Sequence, residues 1–207
     1  MARVARIGDR ERMPDWRAVG PSRPSQVQSG LQTELDSSRK EISVAIVSLR
    51  PFGEINTSEL EEYYEGEVRC GDQLIPVDLN FEDDNIETGA IKNVKEFLDE
   101  LPHHEKAAFD SLLADFNRGR KSEVVRPFME HHLKELGPET LTKLFGTTSV
   151  DINRFLSKMV VTRVGFYPET DDEFAVFDIT LQGDFTNYLI AVNFDPDGEI
   201  KSLSMES

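Results

Sequence analysis

The run VVTRVGFYPETDDEFAVFDITLQGDFTNYLIAVNFDPDGEIKSLSMES (160–207) alternates side-chain character with a period of two. Val160 to Tyr167, Phe174 to Leu181, Asn187 to Phe194 and Ile200 to Met205 read as four strands. Only the polar stretches 168–173 and 182–186 and the tetrapeptide Pro196-Asp197-Gly198-Glu199 separate them. A parallel return needs a crossover of about a dozen residues or more, so connections this short predict an antiparallel meander.

Upstream the period becomes helical. Ile91, Val94, Phe97, Leu98 and Leu101 recur three and four apart and stop before Pro102. Phe109, Leu112, Leu113 and Phe116 mark a second helix ending near Gly119, and Phe128, Met129, His132, Leu133 and Leu136 a third. That third helix opens near Pro127, a residue suited to a first turn, and ends at Gly137. Shorter helices are expected over 138–145 and 149–158, the last with Asp151 at its start.

Further upstream, 63–69 and 74–81 flank Gly71-Asp72 and read as a β-hairpin. In its second arm Ile75, Val77, Leu79 and Phe81 should face the core, with Leu74, Pro76, Asp78 and Asn80 on the other side. From Glu41, the alternation of Ile42, Val44 and Ile46 predicts a strand ending before Pro51. Strands, then helices, then strands is the pattern of an α+β domain. The expected architecture is an N-terminal strand and β-hairpin, a central helical segment and a C-terminal four-stranded antiparallel meander, with one sheet packed by helices. We place a single domain over 41–207 and read 1–40, rich in Arg, Ser, Gln and Pro, as a flexible arm.

Charge divides the chain at the same point. Residues 1–40 hold eight basic and five acidic residues, and the remainder fifteen basic against thirty-four acidic. A body with that field repels phosphate backbones and anionic lipid, so neither nucleic acid nor membrane is an expected partner, and an electrostatic partner would be basic. Cys70 is the lone cysteine, which rules out an intrachain disulfide and suits a reducing compartment. No apolar run reaches the ~18 residues of a membrane span, and 1–24 lacks the apolar core of a secretory leader. A cytoplasmic location is expected.

Motifs for chemistry are sparse. His103-His104 and His131-His132 are adjacent pairs, and neighbours on a helix diverge by about 100°, which makes a poor chelate. His132 falls on an apolar stripe and reads as a hydrogen-bonded histidine at the edge of the core. The DPDGE run (195–199) is too short for a calcium loop and restarts strand alternation at Ile200, so it reads as a hairpin turn. Asp78 and Asp178 could act as an acid–base pair only if the fold joins them. Cys70, beside the Gly71-Asp72 turn, could be exposed, but a reactive thiol needs a neighbouring base or positive charge. Nucleophile-elbow, phosphate-loop and dinucleotide motifs are absent. We assign no catalytic residue, metal ligand or cofactor from the sequence.

Aromatic residues concentrate in the meander: Phe166, Tyr167, Phe174, Phe177, Phe185, Tyr188 and Phe194. Most should fill the core. Any exposed member beside Asp171, Asp172, Glu173 and Asp184 would form an aromatic patch with an acidic rim, suited to capturing a basic protein. Of the adjacent Tyr63 and Tyr64, one should face solvent. Tyr64, Asp171, Asp172, Glu173 and Asp184 are the partner-binding candidates.

The segments IPVDLNFE (75–82), FMEHHLKEL (128–136), VGFYPETDDEFAVFDITL (164–181) and TNYLIAVNFDPDGEIKSLSMES (186–207) together resemble a bacterial family of unknown function, number two thousand and four, over roughly residues 42–207. The resemblance implies a compact α+β fold without an assigned catalytic residue. It also implies kinship with small acidic proteins found beside bacterial toxin genes. Three functions follow as expectations: an immunity-type inhibitor of a toxin, a generic regulatory or structural interaction protein, and a carboxylate- and histidine-dependent hydrolase. The first is preferred.

Overall fold

The computed structural model describes residues 46–183 and 185–207. The expected arm (1–40), the first residues of the strand expected from Glu41, and Asp184 lie outside the described residues. Strands β1 (Ile46–Leu49), β2 (Gly53–Asn56), β3 (Tyr63–Cys70) and β4 (Gln73–Asn80) come first. Helices α1 (Thr88–Asp99), α2 (Leu101–Asn117), α3 (Val125–Glu135), α4 (Pro138–Phe145) and α5 (Ile152–Leu156) follow. Strands β5 (Met159–Phe166), β6 (Ala175–Leu181), β7 (Leu189–Phe194) and β8 (Ile200–Glu206) complete the order.

Two sheets form instead of one. The main sheet has six strands in the order β3-β4-β5-β6-β7-β8, and β1 pairs only with β2 in a separate antiparallel hairpin. The sequence reading missed β2 because GEIN offers a single β-favouring residue, Ile55, which is fully buried. β5 to β8 pair antiparallel, but β5 joins β4 in parallel through Val77↔Val164, Asp78↔Gly165 and Leu79↔Phe166. The main sheet is therefore mixed. The whole helical segment is the connection from β4 to β5, which supplies the long crossover a parallel neighbour requires.

One face of the sheet carries the helices. Ile75, Val77 and Leu79 of β4, Val161, Val164 and Phe166 of β5, Phe177 and Ile179 of β6, and Ile190, Val192 and Phe194 of β7 are buried there. Against them lie Ile91, Val94 and Phe97 of α1, Leu101, Ala108 and Leu112 of α2, and Val125 and Phe128 of α3. Phe97 is central: its ring lies 5.5–6.1 Å from those of Phe166, Phe174, Phe177 and Phe194. Such pairs add about 0.5–1.5 kcal/mol each beyond the area they bury.

Helix boundaries follow local chemistry with two departures. α2 begins at Leu101, with Pro102 inside its first turn, so the proline opens this helix as well as ending the previous one. α3 has no cap from its own flanking side chain. Asp115 of α2 instead accepts from Val125 N (3.0 Å) and Ser122 Oγ (2.6 Å). Burial alone would raise the Asp115 pKa, but these bonds and Arg118 outweigh it and hold the carboxyl below its ordinary value. Asp151 caps α5 as expected, accepting from Arg154 N at 2.9 Å.

Candidate functional site

Strand direction gathers the acids. β4 ends at Asn80, β5 runs parallel to it and ends at Phe166, β6 starts at Ala175, β7 ends at Phe194 and β8 starts at Ile200. The segment after β4, the β5–β6 turn and the β7–β8 turn therefore leave the sheet at one end. They carry Glu82, Asp83 and Asp84; Glu169, Asp171, Asp172 and Glu173; and Asp195, Asp197 and Glu199. Clusters over a hundred residues apart in the chain become one rim, and all of these acids except half-buried Asp195 are exposed.

Several carboxylates hold the rim together. Glu169 accepts from Glu82 N (2.7 Å) and Asp83 N (3.0 Å), tying the first loop to the second. Asp195 accepts from Asp197 N (3.0 Å) and Glu199 N (2.8 Å), so DPDGE is a hairpin turn braced by its own first residue. Lys201 sits between Asp195 (3.4 Å) and Asp172 (3.9 Å). Glu173 lies 3.4 Å from the Asn193 amide nitrogen, which donates to it.

The α1–α2 corner faces the β7–β8 turn across an open pocket of about 450 Å³, lined by Glu96, Phe97, Asp99, Glu100, His104, Pro196, Asp197 and Gly198. His104 stacks on Phe97 with ring centroids 3.8 Å apart and planes 14° from parallel. Gly198 (φ +79°) is left-handed, and a Cβ there would collide with the His104 ring. The His104 pKa is lowered, by burial and by His103, against the pull of Glu100. Its Nδ1 is buried without a hydrogen-bond partner.

On the helix-free face, Arg163 unites two acids the sequence left apart. A β-bulge between Val161 and Arg163 turns Thr162 and Arg163 together away from the core. Arg163 Nε and Nη2 donate to Asp78 at 2.6 and 2.7 Å, Nη1 donates to Asp178 at 3.1 Å, and Nη2 donates to Tyr167 Oη at 3.0 Å. Asn80 adds a 2.6 Å bond to Asp78. Gly165, level with Asp78, makes this possible: a Cβ there would meet Arg163 Nη2 at 2.6 Å. Burial would lower the Arg163 pKa, but its bonds to Asp78 and Tyr167 drive it up. Burial raises the Asp178 pKa even against Arg163. With each nitrogen already donating, Arg163 is a brace of the sheet and not a receptor.

No family model, curated protein or solved structure matches this chain.

Its candidate site therefore stands on geometry. Asp171, Asp172 and Glu173 meet on the acidic rim. Tyr64 lies at the same end, but its register partner Leu79 faces the core, so its ring is half-buried edge-on to Phe81 and its Oη accepts from Glu61 N. Tyr63 is the tyrosine that faces solvent, 51% exposed. The expected aromatic patch within the acidic rim does not form from the meander phenylalanines. Phe166, Phe174, Phe177 and Phe194 are buried, and exposed Phe185 lies in the β6–β7 turn, at the opposite end of the sheet.

The remaining candidates are buried. Cys70 is 5% exposed and donates from Sγ to Glu105 at 2.9 Å. Burial first, then Glu105, pushes its thiol up to about 12, so the exposed thiol the sequence allowed is absent. His132 is fully packed, with Nδ1 2.7 Å from the Phe128 carbonyl oxygen. Among the described residues no group of three His, Cys, Asp or Glu is placed to hold a metal ion, and no helix is long and apolar enough to cross a membrane. The expected meander already places the Asp171 and Asp195 turns at one end, and the parallel β4–β5 step, which the sequence does not declare, adds the Glu82 loop to them.

Proposed function

We propose that this protein is a non-enzymatic acidic binding protein for a basic protein partner, acting as an immunity-type inhibitor that covers a bacterial toxin. The convergence of three acidic loops on one sheet end carries the first half of the reading. Exposed like charges on neighbouring loops repel each other and persist at some cost to stability, and a basic partner converts that repulsion into attraction. Steering by such a field accelerates encounter by about tenfold or more at low salt. The toxin half rests on the resemblance of the GFYP…FAVFD and FDPDGE…MES segments to the bacterial family described above. Half-buried Tyr64 supports the β3 edge of this surface, and Asp171, Asp172 and Glu173 form its centre.

The test is capture from the native cell, with partners identified by mass spectrometry, followed by association kinetics. Asp171→Lys with Asp172→Lys should slow association about tenfold at low salt and flatten its salt dependence. Co-expression with the captured partner should rescue growth if that partner is a toxin. Unchanged association in the charge-reversed variant removes the acidic rim from the interface, and absent rescue removes the inhibitor role.

A further inference from the structure

The outer edge of β8 is bare among the described residues. We propose that it pairs with β8 of a second copy of this chain, antiparallel about a two-fold axis through Ser204, so that two six-stranded sheets join into one.

β8 ends the main sheet, with β7 on one side and no described strand on the other. Alternate N–H and C=O groups of an edge strand point outward, and among the described residues those of 200–206 make no backbone bond beyond the β7 ladder. Edges are normally blunted by charge, by proline or by a covering segment. The opposite edge is blunted in this way. β3 carries exposed Glu65 and Glu67, which a two-fold pairing about Gly66 would set against each other, and Pro51 lies over Gly66. In β8, Ser202, Leu203, Ser204 and Met205 are uncharged. Lys201 sits at the bulged start of the strand and is drawn to Asp172 and Asp195.

The strand is self-complementary. Leu203 and Met205 lie opposite Val192 and Ile190 on the helix-bearing face, where Leu203 is half-buried and Met205 is 42% exposed. Ser202 and Ser204 lie on the helix-free face, and Asn193 donates to Ser202 Oγ there. Opposed residues of an antiparallel pair share a face, so a symmetric pairing is centred on a residue. Centring it on Ser204 sets Leu203 of each copy opposite Met205 of the other and Ser202 opposite Glu206. Each exposed methionine gains an apolar neighbour, and each Ser202 hydroxyl gains a carboxylate acceptor. Centring it on Leu203 would set Lys201 against Met205 instead.

Charge favours a second copy as the occupant in spite of the net −16. Antiparallel pairing reverses the second copy, so the two acidic rims, each at the start of β8, lie at opposite ends of the joined sheet. The seven residues of β8 hold them roughly 20 Å apart, more than twice the Debye length of about 8 Å at physiological salt. A basic strand gains nothing at this edge, where Lys201 and Glu206 cancel.

Sedimentation equilibrium of the full chain over a dilution series tests the pairing, and a reversible monomer–dimer equilibrium is expected. Ser204→Lys and Ser204→Glu each place like charges across the axis. Each should weaken self-association about tenfold, with the melting temperature of the dilute protein unchanged. An equimolar mixture of the two variants should restore it as a mixed dimer, which a folding defect would not produce. Should either variant fail to fold, Met205→Lys, at an exposed position, should weaken the dimer to the same extent. A chain monomeric at every concentration, a dimer indifferent to these substitutions, or no recovery on mixing would each overturn the proposal. Amide-exchange protection of 202–206 that appears only with a captured protein of another kind would also overturn it, by giving the edge a different occupant.

Discussion

Replacing Arg163 with Met isolates the buried charge network. The side chains of Asp78 and Asp178 are 6% and 14% exposed, and the substitution removes the bidentate partner of the first and the charge partner of the second. Breaking a buried pair by deleting one member costs about 3–5 kcal/mol, because the surviving charge cannot rehydrate. Arg163 is itself 35% exposed, so water can partly replace it, which places the expected loss near 3 kcal/mol. Urea unfolding of the full chain at pH 7 measures it as a lower midpoint at constant slope.

The loss should depend on pH with a definite sign. Without Arg163, the folded pKa of Asp178, already raised by burial, rises further above its unfolded value. A raised carboxyl is destabilising when ionised, and this penalty vanishes once pH falls below the unfolded value. The Arg163→Met deficit should therefore shrink steadily from pH 7 toward pH 4. Adding Asp78→Asn to Arg163→Met should return part of the loss, because the most deeply buried charge is gone. A deficit under about 1 kcal/mol that is equal at both pH values would show that Arg163 contributes only packing, and the network argument would fall.

Asp178→Asn should act oppositely to Arg163→Met. The folded pKa of Asp178 is raised by burial, so the charged wild type is penalised as pH rises through that value, and the variant should gain relative stability between pH 4 and pH 7 in paired urea titrations. Gly165→Ala should displace the Arg163 guanidinium and cost about 1–3 kcal/mol, visible as a lower melting temperature that Arg163→Met makes largely redundant. Cys70, with its thiol at about 12, should react with a disulfide reagent at pH 8 only at the rate of structural opening, so a rate that tracks free thiol in native buffer would contradict its placement. Phe97→Ala should cost about 3–5 kcal/mol by opening a cavity among four phenylalanine rings, measured by the same unfolding assay.

Much of this molecule is readable along the chain. Alternation in 74–81 assigns the core face of β4, and β6 buries every second residue in the same way, because a strand's side-chain period is two whatever its neighbour. The 3.6-residue recurrence of Ile91, Val94 and Phe97 marks α1 in the same way. Asp151 and the DPDGE turn declare themselves because their hydrogen bonds close within four residues. Pairing between distant segments has no such local signature. The parallel step from β4 to β5, the separate β1–β2 hairpin, the bulge that delivers Arg163 to Asp78 and Asp178, and the meeting of three acidic loops with the His104 pocket all depend on which strand lies beside which. That choice is made by the fit of the whole apolar face beneath the helices, so it exists only in the folded structure.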